Sequence, residues 1–377
     1  DEPFIYNLLG VLYSQLGNYE ESTKNYSKAI KLNPGYFEVY NNIGVAHTKW
    51  KKTNEAIECF DRAIQINPSY AEAYNNKGNA LKDKGEYGLA SESYERSVAL
   101  NPNYIDAIAN LGIIWDLMND FTKAERYFRR ALLLGPGNIT ILYNLANCLF
   151  NAEDFKEAIE ICNKIIALDA SFYYAYNRMG LCYIQLGDEE ESKAFFEKAL
   201  QIRPDYVEGL TNYGYVLRKL RNYSLATVQF KKALSIDPNS NEALVNLVEA
   251  YFNEGFLPKA IELAKKGLMS KPNNIPLLKN LIQSLLLLDR LEEASSTCKK
   301  LLSIKKNDAD TINVMGLICE RKGFFKDAKD HFLKALNLNK NLVLAKINIA
   351  TLYQLEGKIE AANQIYNDLL EEHPKNP

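Results

Sequence analysis

The chain has 377 residues, of which 47% are hydrophobic and 24% are charged, so its composition is that of an ordinary folded protein and excludes disorder. Its 45 basic and 47 acidic residues give a formal net charge of -2, which excludes the strongly basic character typical of a nucleic-acid-binding protein. No apolar run approaches the roughly 18 residues that a membrane-spanning helix needs. The N-terminal residues lack the basic and apolar regions of a signal peptide, so we expect a cytoplasmic protein without membrane insertion.

A period of 34 residues runs through the sequence. Glycine occupies the eighth place of this period at Gly10, Gly44, Gly78, Gly112, Gly180, Gly214 and Gly316, and alanines and prolines recur at other fixed places. Eleven repeats start at residues 3, 37, 71, 105, 139, 173, 207, 241, 275, 309 and 343, with no insertion or deletion. A strict period of this length is the signature of a repeat architecture. We therefore predict a single domain of eleven stacked repeats over residues 3–376.

Each repeat has the pattern of two amphipathic helices. In residues 70–102, apolar and small residues recur three and four places apart, which is the spacing of one helix face. Lys84-Gly85-Glu86 interrupts the pattern, and Asn101-Pro102 ends the second helix, since proline suits the first turn of the next element. One such helix pair has too little surface to bury both of its faces, so the repeats must stack into an all-α solenoid.

The chain resembles the tetratricopeptide repeat family over essentially its whole length. The matching features are the glycine of the first helix, the alanine–aromatic–alanine core of the second helix, as in Ala56, Phe60 and Ala63, and the closing Asn-Pro or Asp-Pro. The resemblance implies a right-handed superhelical solenoid of helix-turn-helix repeats. It also implies that the first helices line a concave groove that binds a protein or an extended peptide, as in a scaffold or adaptor.

The sequence carries no pattern of a catalytic or metal centre. None of the common nucleophile, phosphate-binding or metalloprotease motifs occurs, and three histidines and six cysteines are scattered without metal-ligand spacing. We therefore expect no enzyme, no metal and no cofactor. The cysteines are expected to be buried free thiols, although an oxidised pair such as Cys162 with Cys182 is left open.

The sixth place of the repeat carries the most informative pattern. It reads Leu8, Asn42, Asn76, Asn110, Asn144, Arg178, Asn212, Asn246, Asn280, Val314 and Asn348. With 39 asparagines in 377 residues, about one asparagine in eleven would be expected by composition, whereas eight are found. Asparagine in a helix interior lowers helix stability by up to ~0.7 kcal/mol relative to alanine. Its recurrence at one place therefore indicates an interaction that compensates for this loss.

A row of side-chain amides offers donors and acceptors that pair with the backbone of an extended peptide, whatever its side chains. We therefore predict an asparagine ladder that clamps a peptide. The alternative is that each asparagine bonds the neighbouring repeat, or was inherited by duplication. The ladder resembles that of the superhelical repeat arm of O-linked N-acetylglucosamine transferases, where such asparagines hold peptide backbone. No transferase catalytic domain occurs in this chain, so the resemblance implies a binding mode and not an activity.

Two further functions are kept beside peptide binding: a substrate-recognition arm of a larger enzyme such as a protein O-glycosyltransferase, and a self-assembling scaffold. A homo-oligomer through exposed ends is part of the expectation, because the last helix carries Ala362, Ile365, Tyr366 and Leu369 on faces that interior repeats bury. Side chains beside the ladder are expected to set groove specificity: Lys49, Lys82, Asn79, Asn147, Tyr143, Phe150, Tyr174, Tyr215, Lys219 and Arg321.

Overall fold

The computed structural model describes residues 2–372, which form 22 α-helices and no strand. Their contacts divide the chain into an N-terminal unit, Asp1–Ile202, and a C-terminal unit, Arg203–Pro377. The N-terminal unit contains α1 (Glu2–Gln15), α2 (Tyr19–Leu32), α3 (Phe37–Lys49), α4 (Thr53–Ile66), α5 (Ala71–Asp83), α6 (Tyr87–Leu100), α7 (Ile105–Leu117), α8 (Phe121–Leu134), α9 (Ile139–Asn151), α10 (Phe155–Leu168), α11 (Tyr173–Leu186) and α12 (Glu189–Ile202). The C-terminal unit contains α13 (Val207–Lys219), α14 (Tyr223–Ile236), α15 (Asn241–Asn253), α16 (Leu257–Ser270), α17 (Ile275–Leu287), α18 (Leu291–Ile304), α19 (Ala309–Arg321), α20 (Phe325–Leu338), α21 (Val343–Leu355) and α22 (Ile359–Glu372).

Every odd-numbered helix is the first helix of a repeat and every even-numbered helix is the second. From the second repeat onward, each first helix begins at the predicted repeat start. The all-α repeat fold predicted from the period is therefore confirmed. The prediction of one continuous domain stays a prediction, and residues 373–376 of that range lie outside the described residues.

A contact between glycine and an aromatic ring joins the two helices of most repeats. A Cβ atom on Gly44 would lie 2.5 Å from Cε1 of Phe60, so only glycine admits the ring at this distance. The same contact joins Gly10 to Tyr26, Gly78 to Tyr94, Gly112 to Phe128, Gly180 to Phe196, Gly214 to Phe230 and Gly316 to Phe332, with Cβ distances of 2.4–2.6 Å. All seven rings are at most 1% exposed.

Where the glycine is replaced by a larger residue, the ring is usually replaced by a small one. The eighth and twenty-fourth places hold Ala146 with Cys162, Val248 with Ala264, and Ile282 with Cys298. All six side chains are at most 3% exposed. These pairs roughly conserve the volume between the two helices, which is the kind of exchange that a packed core tolerates best. The exception is the last repeat, which combines Ala350 with Tyr366.

The first helices form the inner side of the N-terminal unit. Helix α1 packs on α3, α3 on α5, α5 on α7, α7 on α9, and α9 on α11. Among residues 2–202, second helices of successive repeats do not pack on one another in this way. The first helices are therefore more closely spaced, and side chains on their free face lie near their counterparts in the next repeat.

The turn between the two helices of each repeat needs one left-handed residue. The fifteenth place has positive φ throughout, with glycine in six repeats and Lys51, Asn119, Glu153, Arg221 or Asp289 in the other five. The left-handed conformation costs a residue with a Cβ about 1–2 kcal/mol, except for asparagine and aspartate, so the turns at Lys51, Glu153 and Arg221 are locally strained.

The outermost helices expose apolar side chains. The third and tenth places are buried in every later repeat, but Ile5 is 54% and Leu12 is 55% exposed on α1. At the other end, the expectation that Ala362 and Leu369 lie uncovered is wrong, because α22 packs against α21 and both residues are buried. Ile365 and Tyr366 are partly buried. Oligomerisation through the ends stays a prediction.

The glycine–ring contact predicts the effect of a single methyl group. Gly44→Ala forces its Cβ into Phe60, and overpacking of this kind costs about 1–3 kcal/mol, so the urea midpoint of unfolding should fall. Phe60→Cys in the same chain should recover part of the loss, because the double variant reproduces the Ala146–Cys162 pair. Gly88→Ala, where a Cβ meets nothing within 4 Å, is the control and should leave the midpoint unchanged or raised. An equal effect of Gly44→Ala and Gly88→Ala would contradict the contact.

The left-handed turn predicts a gain in stability. Glu153 has a φ of 63°, so Glu153→Gly should remove backbone strain and raise the free energy of unfolding by up to about 1 kcal/mol. Gly85→Ala, at the equivalent place in the third repeat, should lower it. Urea titration of both variants tests the prediction, and a fall in both would contradict it.

Candidate functional site

The predicted asparagine row lies on the inner side of the first helices. We call the surface of the N-terminal unit formed by Asn42, Asn76, Asn110, Asn144 and Arg178 the ladder face. One of these residues comes from each of α3, α5, α7, α9 and α11, and all five are partly buried. The close packing of successive first helices places each side chain beside the preceding repeat.

Three of the asparagines on this face donate to an asparagine of the preceding repeat. Asn42 Nδ2 donates to Asn7 Oδ1 at 3.0 Å, and Asn76 Nδ2 donates to Asn41 Oδ1 at 3.0 Å. In the next repeat, Asn110 Nδ2 donates to Asn75 Oδ1 at 2.9 Å. Thus one N–H of each outer amide is occupied by an inner amide 35 residues earlier. The bond to a neighbouring repeat, which was the structural alternative to a peptide clamp, is present at these three positions.

The inner asparagines are themselves held in place. Asn41 is 1% exposed, and its Nδ2 donates to the Tyr70 hydroxyl at 3.4 Å and to Glu72 Oε1 at 3.2 Å. The Tyr70 hydroxyl donates to Glu72 Oε2 at 3.0 Å. Burial, with the nearby Glu72 carboxylate, raises the pKa of Tyr70, so the hydroxyl keeps its proton and remains a donor. The inner amide is therefore fixed before any ligand binds.

The outer amides keep hydrogen-bonding capacity. An amide has two N–H donors and one acceptor oxygen. Within the described part of the chain, the Oδ1 atoms of Asn42 and Asn76 accept no hydrogen bond. These residues are partly buried rather than enclosed, so the free carbonyl and the second N–H remain available on the ladder face.

The inter-repeat bonds stop at α9 because the inner partner changes. The fifth place, which supplies the inner amide, is Ala109 in α7 and Tyr143 in α9. Asn144 consequently has no hydrogen-bonding partner among residues 2–372. Arg178 takes the next ladder position, and its guanidinium lies over the Phe150 ring, 4.7 Å from the ring centroid. The ladder face thus has an anchored part on α3–α7 and an unanchored part on α9 and α11.

The C-terminal unit repeats the row less regularly. Asn348 Nδ2 donates to Asn313 Oδ1 at 2.9 Å, as in the anchored part of the ladder face. Asn246 instead donates to the Glu242 carbonyl of its own helix at 3.0 Å. Asn280 is 8% exposed, and its Nδ2 is buried without a partner. Asn212 is 9% exposed, so the C-terminal unit offers no uninterrupted run of free amides.

Several of the predicted specificity residues meet in aromatic and cationic contacts. The Tyr143 and Tyr174 rings are 5.9 Å apart, and Lys219 lies over the Tyr215 ring at 5.9 Å. Phe150 lies under Arg178. Tyr143 also packs edge-on against Phe172 at 5.4 Å. The C-terminal part of the N-terminal unit, at α9 and α11, therefore has an aromatic surface beside the ladder face.

Other predicted specificity residues make bonds within the protein. Asn79 Oδ1 accepts from the Tyr94 hydroxyl at 2.8 Å and from Asn110 at 3.2 Å, and the Oδ1 of Asn147 is buried without a partner. Arg321 donates to the carbonyl of Leu286 near the end of α17, at 2.8 Å. Lys49 is exposed and Lys82 is partly buried. Their contributions to specificity remain predictions.

The inner asparagines are the functional residues that sequence reasoning missed. Asn7, Asn41, Asn75 and Asn313 occupy the fifth place, and each precedes its ladder partner by 35 residues. A search for asparagine pairs at this spacing finds them. Asparagine is less regular at the fifth place than at the sixth, so the fifth place does not stand out when each place is considered alone.

The described residues contain no group of three or more histidine, cysteine, aspartate or glutamate side chains placed to hold a metal ion. All six cysteines are free thiols, and burial raises the pKa of Cys162 and Cys182 to about 12. No helix within residues 2–372 is both long enough and apolar enough to span a membrane.

Sequence models of the tetratricopeptide repeat match many segments of the chain. The matched residues are 10–49, 37–70, 71–104, 117–179, 173–206, 207–240 and 345–376. Together these segments cover about two thirds of the chain. No match is found among the curated proteins.

Solved structures of repeat proteins share the fold. A tetratricopeptide repeat protein from Parabacteroides merdae is 17% identical, covers 66% of this chain and 98% of its own, and has a TM-score of 0.54. The C-terminal part of a repeat protein from Cytophaga hutchinsonii is 18% identical, covers 64% and 99%, and has a TM-score of 0.51. Yeast Tom70 is 16% identical, covers 97% and 91%, and has a TM-score of 0.49.

Three observations agree on a tetratricopeptide repeat fold: the seven matched segments, the 22 helices arranged in pairs, and the two structural likenesses with a TM-score above 0.5. At such low identity, the structural likenesses bear on the fold alone. The chain belongs to the tetratricopeptide repeat family, whose members are protein-interaction scaffolds.

Proposed function

We propose that the N-terminal unit binds an extended protein segment along the ladder face, with Asn42, Asn76 and Asn110 pairing to its main chain. The observation that carries this proposal is the orientation of the three amides. Each has an N–H tied to the preceding repeat and an unpaired carbonyl; the second N–H is also unpaired in Asn42 and Asn76, while Asn110 donates in addition to Asn79 Oδ1 at 3.2 Å. A main chain offers the complementary N–H and C=O in every residue.

Anchoring lowers the cost of binding. An interface side chain that becomes immobilised on association costs roughly 0.5–1.5 kcal/mol of conformational entropy. Asn42, Asn76 and Asn110 are already held in the free protein by Asn7, Asn41 and Asn75. Their remaining hydrogen-bonding groups therefore bind a ligand without that loss.

The spacing of the first helices sets the length of the bound segment. Packed helices lie roughly 8–10 Å apart, and an extended chain advances about 3.3 Å per residue. One rung of the ladder therefore corresponds to about three residues of ligand. Three anchored rungs span two helix spacings and hold about six or seven residues, and because they contact main chain they accept many sequences.

The resemblance of the asparagine row to the repeat arm of O-linked N-acetylglucosamine transferases supports the same binding mode. It assigns no activity, and no catalytic constellation was identified in the sequence. We accordingly propose a binding protein rather than an enzyme.

Removal of the three outer amides is expected to weaken peptide binding. Random twelve-residue peptides displayed on phage are panned against the intact chain, and the recovered peptides are synthesised with a fluorescein label. Anisotropy titration of Asn42→Ala/Asn76→Ala/Asn110→Ala should show at least about a tenfold loss of affinity, at about 0.5–1.5 kcal/mol per rung. The control is Asn246→Ala, since Asn246 bonds only within its own helix.

A main-chain clamp also requires that N-methylation of single peptide bonds weaken the ligand more than substitution of its side chains. Unchanged affinity in the triple variant, with circular dichroism equal to wild type, would contradict the proposal.

The inner and outer amides are expected to respond differently. Asn41→Ala removes the buried partner of Asn76, Tyr70 and Glu72, so it should lower the free energy of unfolding by about 1–3 kcal/mol. Its effect on peptide affinity should be smaller than that of Asn76→Ala, because the outer amide is still present. Asn313→Ala, at an equivalent inner position of the C-terminal unit, should lower stability without changing affinity. Equal losses of affinity in Asn41→Ala and Asn313→Ala would show that the peptide does not bind the ladder face.

A further inference from the structure

Arg178 breaks the ladder with a cation. It stands on α11 at the place where α3, α5, α7 and α9 each have asparagine. Its side chain is partly buried, and its Nε is buried without a hydrogen-bonding partner. No carboxylate among residues 2–372 lies within ion-pair distance of its guanidinium. The guanidinium instead rests on the Phe150 ring at 4.7 Å.

The charge of Asp116 acts on Arg178 but does not neutralise it. The Asp116 oxygens accept hydrogen bonds from Asn151 Nδ2 at 3.2 and 3.4 Å. Burial raises the pKa of Asp116, while the Asn151 bond and the positive charge of Arg178 act in the opposite direction. Asp116 therefore interacts with Arg178 only through the longer-range electrostatic field. A partly buried cation without a paired anion is costly, and a bound anion would relieve that cost.

The surroundings strengthen an ion pair at this position. Tyr143, Phe172 and Tyr174 form an aromatic cluster with ring centroids 5.4–5.9 Å apart. Apolar ring surface lowers the local dielectric constant, so a charge-assisted hydrogen bond is stronger here than in open solvent. Asn144, on the adjacent helix α9, has an unpaired amide that can hold the main chain of the same ligand.

In the N-terminal unit, the acidic residues at the second place of the repeat lie on the helices before α9, away from Arg178. The second place of the repeat is Glu38 in α3, Glu72 in α5 and Asp106 in α7, but Thr140 in α9 and Tyr174 in α11. The acidic stripe thus ends before the repeat that contains Arg178. The second-place carboxylates that would repel an anionic side chain on α3, α5 and α7 therefore have no counterpart on α9 or α11.

We propose that Arg178, which rests on Phe150 and stands on the same helix as Tyr174, binds the carboxylate of an aspartate or glutamate side chain of the extended segment, while Asn144 holds the main chain of that segment. This inference rests on the proposed function and names the chemistry that the ladder face selects. Arg178 lies two repeats beyond Asn110, or roughly 16–20 Å at the helix spacing used above. The acidic residue therefore lies about five or six residues from the residue held by Asn110.

The test uses synthetic peptides recovered by panning the intact chain with a random fifteen-residue library, long enough to span from the anchored rungs to Arg178. At the position with the strongest acidic enrichment, each peptide is made with glutamate, glutamine, phosphoserine or lysine. Wild type should bind the glutamate form at least tenfold more tightly than the glutamine form. Arg178→Gln should abolish that difference, Arg178→Lys should retain part of it, and Arg178→Glu should favour the lysine form. Arg126→Gln, on the exposed side of α8, is the matched control and should behave as wild type.

The outcomes separate this inference from the proposed function. Peptides that depend on Asn42, Asn76 and Asn110 but bind equally with glutamate or glutamine would overturn the Arg178 assignment and leave the ladder intact. Phosphoserine binding more than tenfold tighter than glutamate would overturn the assignment of a carboxylate in favour of a phosphate. Failure to recover any ladder-dependent peptide would overturn both. Thermal unfolding of each variant by circular dichroism shows whether the fold is retained.

Discussion

The close contact between a glycine and an aromatic ring sets the geometry of the repeats. At Gly44 and Phe60 a Cβ would lie 2.5 Å from the ring, so the two helices approach as closely as their backbones allow. The ring cannot move away without opening a cavity, and the glycine cannot gain a methyl group without overpacking. This pair occurs in seven of the eleven repeats and fixes how closely the two helices of each of those repeats approach. The ladder asparagines of α3, α5 and α7 stand on first helices that carry this contact.

The amides on the first helices then form two layers with different tasks. The inner asparagines, such as Asn41, are buried and join one repeat to the next through a tyrosine and a glutamate. The outer asparagines, such as Asn76, are tied to this inner layer by one N–H and keep their carbonyl free. Structural bonding and ligand binding are therefore not exclusive at these positions. A single amide stabilises the contact between repeats and is oriented by it for a partner.

Most of the fold follows from the sequence because the 34-residue period is strict. The 34-residue period relates Gly44 to Gly78 and Phe60 to Tyr94. From the second repeat onward, each first helix begins at the residue that this period predicts. The outer row of the ladder follows for the same reason.

The inner row does not follow, because its bonds join the fifth place of one repeat to the sixth place of the next. That offset depends on how adjacent helices are staggered, which no single repeat reveals. The burial of Ala362 and Leu369 does not follow from comparing α22 with interior repeats either, because α21 alone is enough to cover both side chains. Asn144 and Arg178 have no inner amide to bond because the fifth place is Ala109 in α7 and Tyr143 in α9. The effect of these two replacements cannot be predicted unless the role of the fifth place is already known.

Exchange of the side-chain amide protons measures the anchored ladder most directly. In protein labelled with ¹⁵N on asparagine, one of the two Nδ2 protons of Asn42, Asn76 and Asn110 should exchange with water more slowly than either proton of Asn144. Saturation with a peptide bound on the ladder face should slow the second proton of Asn42 and Asn76, which is unpaired in the free protein. Equal exchange at Asn76 and Asn144 in the free protein, or no change at Asn42 and Asn76 on saturation, would contradict an amide row that is held by one repeat and presented to a ligand.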